Sequence, residues 1–176
     1  DDDDDAVDDA AAAPCCGDAL ADVLTGAAPP SGRLCVTLYP PDFPASRDIT
    51  DYDFASGDGV TYQSYTGTPQ WAFGYGGSYT TWDLQWLTGG DGDAAVPDAA
   101  RWAAGDAAAA PAPWGVNVTN TGGVTSDISV LAFVSSGAPG DPLSALFDFQ
   151  RAAAVPPGAT VTLLFTIPPA AAARVD

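Results

Sequence analysis

The residues of this sequence that could perform acid–base chemistry are aspartates. The chain has 176 residues with 23 acidic and 5 basic side chains, and every acid is Asp and every base is Arg. Two pairs separated by one residue, Asp51 with Asp53 and Asp91 with Asp93, could bring two carboxylates together for general acid and base catalysis. Nothing apolar and regular surrounds either pair to raise a pKa, so we interpret both as solvated loop carboxylates. We therefore assign no catalytic residue.

The residue types that are absent exclude several other chemistries. Without His the chain has no Ser-His-Asp or Cys-His nucleophile system and no His-ligated zinc, and without Lys it forms no Schiff base. The cysteines lack CxxC spacing, and the Asp-rich residues 1–9 lack the turn that fixes calcium ligands. We expect neither a metal site nor a cofactor.

The formal charge of −18 argues against nucleic acid and anionic membrane surfaces as partners, because both bind clustered basic residues. Part of this charge lies in residues 1–16, which we expect to form a disordered acidic tail. The N-terminus lacks the basic, apolar and small-residue progression of a signal peptide. No apolar stretch reaches the roughly 18 residues of a membrane span.

The three cysteines do not form a disulfide framework, because their number is odd and two of them are adjacent. A bridge from Cys15 or Cys16 to Cys35 is one interpretation. Three half-buried thiols are the other, and we favour it.

Three aromatic residues, Trp71, Tyr75 and Trp82, could form stacking platforms for sugar rings, because an exposed aromatic face packs against the C–H groups of a pyranose. Packing in a core or at a domain junction is the favoured alternative, because large aromatic side chains tend to be buried.

Asn117 begins the N-glycosylation sequon Asn-Val-Thr. The sequon lies in an expected strand, and such triplets arise often by chance, so glycosylation of Asn117 carries little weight.

The elements that carry these residues begin with a helix. Leu20, Val23 and Leu24 have the i, i+3, i+4 spacing of a short amphipathic helix that Gly26 ends. After a loop, residues 33–39 have the composition of a buried strand.

A turn-rich, aromatic segment at residues 41–77 separates this beginning from a β-rich region. Residues 78–87 alternate with the two-residue period of a half-buried strand, and residues 88–113 form a low-complexity insertion that we expect to be a mobile linker. Three further strands are expected at residues 114–120, 128–134 and 159–167, and their spacing indicates a β-sandwich.

Four segments, in this order, resemble the C-terminal third of the family 3 glycoside hydrolases, which include β-glucosidases and β-xylosidases. They are residues 17–34, residues 49–69, residues 73–80, and the strands and turns of residues 116–158. Four positions depart from the usual family residues: Cys35, Gln63, Gly77 and Ala159. The residues at 65–69 are closer to the β-xylosidase branch.

The resemblance implies a mainly β fold, with the last helix and strand of an α/β sandwich domain followed by an incomplete fibronectin type III-like, or immunoglobulin-like, β-sandwich. It divides the chain into a tail (1–16), the end of the α/β domain (17–40), a linking segment (41–77) and the β-sandwich (78–176). It also implies a secreted enzyme.

Enzymes of this family use a carboxylate nucleophile and a carboxyl acid/base. By resemblance, both would lie upstream, so this chain would be a non-catalytic support for the barrel and α/β domains of the same enzyme, possibly touching an oligo- or polysaccharide. A stand-alone β-module that binds carbohydrate or protein is the alternative, and a non-functional remnant is a third interpretation.

Overall fold

The computed structural model describes residues 16–87 and 99–173, and it confirms the mainly β fold. More of the described residues lie in the five strands than in the helices, most of which are short. Within the described ranges, no helix is long and apolar enough to cross a membrane. Residues 1–15 of the expected tail and the Asp91/Asp93 pair lie outside the described residues, and Cys16 begins the first helix.

The expected first helix is present as α1, Cys16–Thr25. It has 10 residues, and Gly26 follows with φ +80°, the left-handed conformation that ends helices and favours glycine. Leu20 and Leu24 are exposed, although an amphipathic helix normally buries such residues. The described residues therefore leave Leu20 and Leu24 uncovered, whereas Val23 of the same face is half-buried.

The expected buried strand at residues 33–39 is instead an extended, partly exposed segment. Its backbone meets residues 71–75 through hydrogen bonds of Leu34 with Gly74 and Tyr75 and a single bridge between Leu38 and Trp71. Val36 and Leu38 are exposed, because the described residues offer no neighbouring sheet on the other side. This segment is therefore an isolated ribbon rather than a sheet strand.

The linking segment between the two sides of this ribbon folds around aromatic contacts. Tyr39 stacks on Phe43 with ring centroids 4.0 Å apart, and Tyr65 meets both rings edge-on. It also contains a short 3₁₀ helix, Phe43–Ser46, and α2, Thr61–Ser64.

The first sheet of the sandwich has three antiparallel strands in the order β1-β2-β5. They are β1 (Trp82–Trp86), β2 (Trp114–Asn120) and β5 (Thr160–Phe165). Its inner face carries Val116, Val118 and Leu163, whereas Thr119 hydrogen bonds Thr160 and Thr162 donates to Asn117 on its outer face. Side chains of β2 and β5 thus alternate between the two faces, whereas the half-buried strand expected at residues 78–87 is limited to β1, in which only Trp82 is half-buried.

The second sheet pairs β3 (Ser126–Val134) with β4 (Ala145–Val155). Its inner residues Ile128, Val130, Ala152 and Val155 complete the main core with those of the first sheet. β4 was not predicted as a strand from the sequence.

The part of the expected mobile linker that is described is not irregular. It forms α3 (Ala99–Ala103) and a 3₁₀ helix, Ala107–Ala109, and the Asp106 side chain caps the latter by accepting from Ala108 N. Trp102 Nε1 donates to Ile167 O at 2.8 Å, beside α4 (Pro169–Ala172). The expectation of a linker throughout residues 88–113 was therefore wrong for residues 99–110, because Trp102 anchors them to a second apolar cluster.

Candidate functional site

Two of the three candidate sugar-stacking residues form a pair. The rings of Trp71 and Tyr75 have centroids 4.4 Å apart at an interplanar angle of 46°. Trp71 is held in place by its backbone bridge to Leu38, and the backbone of Tyr75 accepts from Leu34 N at 2.8 Å. Because 42% of Trp71 and 47% of Tyr75 is exposed, both rings offer apolar surface to solvent.

The third candidate, Trp82, does not join this pair. It is half-buried at the start of β1 and packs against the main core of the sandwich. Its Nε1 donates to Ser78 Oγ at 3.3 Å. Trp82 is thus a core-packing residue, whereas Trp71 and Tyr75 form an exposed aromatic pair.

The Asp51/Asp53 pair lies in a loop that is folded around Arg47. The Arg47 guanidinium donates to the backbone oxygens of Asp51, Asp53 and Ser56 at 2.6 to 3.1 Å. The pKa of Asp51 is lowered by the hydrogen bond from Asp53 N, by Ser56 and by the charge of Arg47. A lowered pKa is the opposite of what a general acid needs at neutral pH. The pair therefore organises the loop.

Asn117 lies at the centre of β2 on the outer face of the first sheet. It is half-buried, and its side-chain oxygen accepts from Thr162 Oγ1 at 2.7 Å. The other sequon residue, Thr119, is bonded to Thr160 at 2.8 Å. Both side chains belong to a polar ladder across β2 and β5, and glycosylation of Asn117 stays a prediction.

An open apolar pocket of about 330 Å³ lies between the ribbon and α2. Its lining includes Thr37, Tyr62 and Phe73, and Thr37 Oγ1 is buried without a hydrogen-bond partner. Cys35, at its rim, is an exposed free thiol rather than a half-buried one. The pocket holds no arrangement of nucleophile and base.

The linking segment rests on the outer face of the second sheet. Phe133 of β3 meets the rings of Tyr62 and Phe73 with centroids 5.7 and 6.1 Å away, and Arg33 Nε donates to Ser129 O at 3.0 Å. Leu143 N donates to Gln63 O at 2.7 Å. These contacts join stretches far apart in the chain, so no local sequence pattern could indicate them.

Sequence reasoning also missed the side chain that joins the turns of the sandwich. Asn120 is fully buried and donates from Nδ2 to the carbonyls of Val124 and Val155, at 2.8 and 2.9 Å. Its Oδ1 accepts from Thr80 Oγ1 and Gly122 N. Its place at the end of an alternating strand, immediately before a turn, was the available signal.

The described residues contain no group of three or more potential metal ligands. The pKa values of Asp48, Asp51 and Asp127 are lowered, in each case first by a hydrogen bond from a backbone N–H group. The site residues available are thus aromatic and amide side chains, which bind and pack.

Relatives of this chain are longer proteins. No family model matches the chain. The exo-1,4-β-xylosidase bxlB of Emericella nidulans is 35% identical over 170 residues, covering 91% of this chain and 22% of that protein. A probable exo-1,4-β-xylosidase, xlnD of Aspergillus terreus, is 30% identical over 177 residues with the same coverage. The chain therefore spans about a fifth of the length of these curated relatives.

Solved structures agree with this relationship. A GH3 exo-β-xylosidase, XlnD, in complex with a xylobiose aziridine probe superposes with a TM-score of 0.65 at 26% identity, covering 86% of this chain and 21% of that one. The β-D-glucoside glucohydrolase of Trichoderma reesei shares the fold, with a TM-score of 0.61 at 24% identity over 87% of this chain and 23% of that one. Similarity along nine-tenths of the sequence, together with this shared fold, shows that the chain belongs to the family 3 glycoside hydrolases and corresponds to their C-terminal part.

Proposed function

We propose that this chain is the non-catalytic support of an exo-acting β-xylosidase, with β-glucosidase as the second candidate for the whole enzyme. The observation that carries the proposal is the similarity to exo-1,4-β-xylosidases along 91% of the chain. The lowered carboxylate pKa values agree with a supporting role, because a retaining glycosidase needs one carboxyl group that stays protonated.

The support acts through the second sheet. Tyr62 and Phe73 of the linking segment contact Phe133 on the outer face of that sheet, and Arg33, which precedes the ribbon residue Leu34, donates to Ser129 O of β3. The exposed apolar residues of the ribbon and α1 would dock on the barrel and α/β domains of the same enzyme: Leu20, Leu24, Val36 and Leu38. In this proposal, residues 17–40 end the α/β domain, residues 41–77 link, residues 78–176 form the sandwich, and the whole enzyme is secreted.

The test is an assay of the purified 176-residue chain with p-nitrophenyl β-xyloside and p-nitrophenyl β-glucoside. We expect no hydrolysis above background, with the E. nidulans relative as the positive control. The double variant Asp51→Asn, Asp53→Asn separates real turnover from a contaminant. Hydrolysis by the chain that this double variant abolishes would refute the proposal.

A carbohydrate-contacting role is the second candidate, and the exposed Trp71/Tyr75 pair favours it. An aromatic platform contributes about 1 kcal/mol to binding, so xylan should retard the chain weakly in affinity electrophoresis. We expect Trp71→Ala to abolish the retardation and Trp86→Ala, which removes a tryptophan of similar exposure from β1, to leave it unchanged. Equal mobility of all three proteins with and without xylan would remove this candidate.

A further inference from the structure

A cluster of hydrogen-bonding side chains lies on the outer face of the second sheet. Ser129 lies opposite Arg151 in the β3–β4 ladder, and cross-strand partners project from the same face of a sheet. Asp127, which precedes Ser129 on β3, forms an ion pair with Arg151. Because Ile128 and Val130 of this strand are buried in the core, their neighbours Asp127 and Ser129 project away from it.

Residues 31–33 are attached to this cluster at three points. Arg33 Nε donates to Ser129 O at 3.0 Å, and Ser129 Oγ donates to Ser31 O at 3.5 Å. One terminal nitrogen of Arg151 donates to Ser31 Oγ at 3.2 Å, and the same nitrogen also binds the paired carboxylate. A single guanidinium therefore joins the acid of β3 to a segment about 100 residues earlier in the chain.

The Asp127 carboxylate fixes the position of this guanidinium. Its Oδ2 accepts from Arg151 Nε at 3.0 Å and from the terminal nitrogen that reaches Ser31. Its Oδ1 accepts from Ala154 N at 2.6 Å, where Ala154 has φ +50°. A positive φ at a residue other than glycine persists only where the surroundings hold it. The carboxylate thus holds both the guanidinium and the backbone of β4.

Among the described residues that meet in this cluster, Asp127 is the group whose charge changes in acid. Arg151 faces it from β4, Arg33 reaches β3 from residues 31–33, and arginine stays protonated. The hydrogen bond from Ala154 N, and then Arg151, lower the pKa of Asp127. Its stabilising contribution is therefore present above its ordinary pKa of 3.8 and is lost as the pH falls through the lower, folded-state pKa.

We propose that Asp127 and Arg151 form an acid-sensitive clamp that attaches residues 31–33 to the second sheet. Protonation of Asp127 removes the negative partner of Arg151, so the guanidinium no longer holds Ser31. The Arg33 side chain then leaves β3, and the segment separates while the sandwich core stays intact. The meaning for the whole enzyme rests on the proposed support role, because acid then loosens the end of the α/β domain from the sandwich.

The test measures solvent exchange of the Arg33 Nε–H proton by NMR in the complete chain at pH 6. Asp127→Asn keeps an oxygen acceptor but lacks the charge, so it imitates the protonated clamp. We expect the Arg33 proton to exchange at least fivefold faster in this variant than in the wild type. The matched control is Asp148→Asn, which removes a half-buried carboxylate that accepts from Phe149 N on β4, and we expect it to change the rate less than twofold.

Acidification tests the role of the charge. As the pH falls from 6 to 2.5, the ratio of the Arg33 exchange rates in Asp127→Asn and the wild type should approach one, because the wild-type carboxylate becomes protonated. Circular dichroism at each pH checks that both proteins stay folded.

Ser31→Ala tests the route from the ion pair to the segment. It removes the contact with Arg151 and leaves the ion pair in place. We expect it to accelerate exchange of the Arg33 proton, and we expect Asp127→Asn to add less than twofold in its background. Fully additive effects would show that the ion pair does not act through Ser31 and would overturn the proposal.

Two further outcomes would also overturn it: an unchanged Arg33 exchange rate in Asp127→Asn, and an equal acceleration in the control. If Asp127→Asn does not fold, Arg151→Gln replaces it, with Arg101→Gln as the control, because both arginines form ion pairs and have side chains that are 59% exposed. These results are independent of the hydrolysis assay. A failed clamp therefore leaves the proposed support role standing, and hydrolysis by the chain leaves the clamp standing.

Discussion

Replacement of Asn120 by Asp exchanges one side-chain nitrogen for an oxygen and should strongly destabilise the sandwich. The side chain is fully buried, and its Nδ2 supplies the donors for the carbonyls of Val124 and Val155. Asp at neutral pH has no donor, so both carbonyls lose a partner and face a buried negative charge. An unsatisfied buried polar group costs about 1 to 3 kcal/mol, so the two carbonyls together imply a loss of about 4 kcal/mol.

A loss of this size is a large part of the 5 to 15 kcal/mol that stabilises a typical domain. It corresponds to a fall in Tm on the order of 10 °C for a domain of this size. The matched control is Asn117→Asp, because Asn117 uses its oxygen to accept from Thr162 and lies on the outer face of the same strand. We expect the control to lose less than about 1 kcal/mol.

Urea and thermal unfolding of the wild type and both variants at pH 7 and pH 4.5 provide the measurement. The carboxyl group introduced at position 120 is buried without a positive partner, which raises its pKa in the folded state above the unfolded value. Its protonated form regains one donor, so the deficit of Asn120→Asp relative to Asn117→Asp should shrink as the pH falls. A Tm within 1 °C of the control at pH 7, or a deficit that grows on acidification, would refute the reasoning.

Three further changes test other parts of the fold. The pKa of Asp127 is lowered by the hydrogen bond from Ala154 N and then by Arg151. The contribution of Asp127 to stability is therefore present above its ordinary pKa of 3.8 and is lost as the pH falls below that value. In urea unfolding, we expect Asp127→Asn to cost about 1 kcal/mol at pH 6 and to be as stable as the wild type near pH 2. Gly59 has φ +74°, and a Cβ there would lie 2.1 Å from Ser64 O, whereas Gly57 has φ +62° with open space around it. Gly59→Ala should therefore increase cleavage of residues 48–66 in limited proteolysis more than Gly57→Ala does. Equal cleavage of the two variants would contradict the clash. Trp102→Phe removes the donor to Ile167 O while keeping an aromatic ring, so thermal unfolding should show a loss of about 1 kcal/mol, and an unchanged Tm would show that residues 99–110 do not contribute to stability.

The strands β2 and β5 could be predicted from the sequence because each buries alternate side chains in one core. β4 was missed because its alternation is interrupted: the β3–β4 pairing shifts register between Ser126 and Ile128 and again between Ala132 and Phe133. Asp127 binds Ala154 N at the first of these shifts, where Ala154 has φ +50°. A bulge of this kind moves side chains to the other face and removes the two-residue period.

The ordered helices at residues 99–110 were missed for a different reason. Their Ala, Gly and Asp composition is that of a linker, and their partners, Ile167 and the second apolar cluster, are distant in the sequence, with Ile167 65 residues from Trp102. The candidate site, too, was predicted from the sequence only in part. The sequence identified Trp71 and Tyr75 as aromatic candidates, but their separation from Trp82 depends on the bridge from Trp71 to Leu38.

The ribbon formed by residues 34–38 and 71–75 closes a loop whose two ends are fixed side by side. Once the ends of a loop are fixed, each doubling of its length costs only about 0.6 kcal/mol of chain entropy. Insertions at its exposed Ile49 or Tyr52 would then leave the ribbon and the sandwich intact. We therefore expect relatives to differ in length in the loop between Leu38 and Trp71 but not in the ribbon. Reporter sequences inserted in the laboratory should likewise be tolerated in the loop and not in the ribbon.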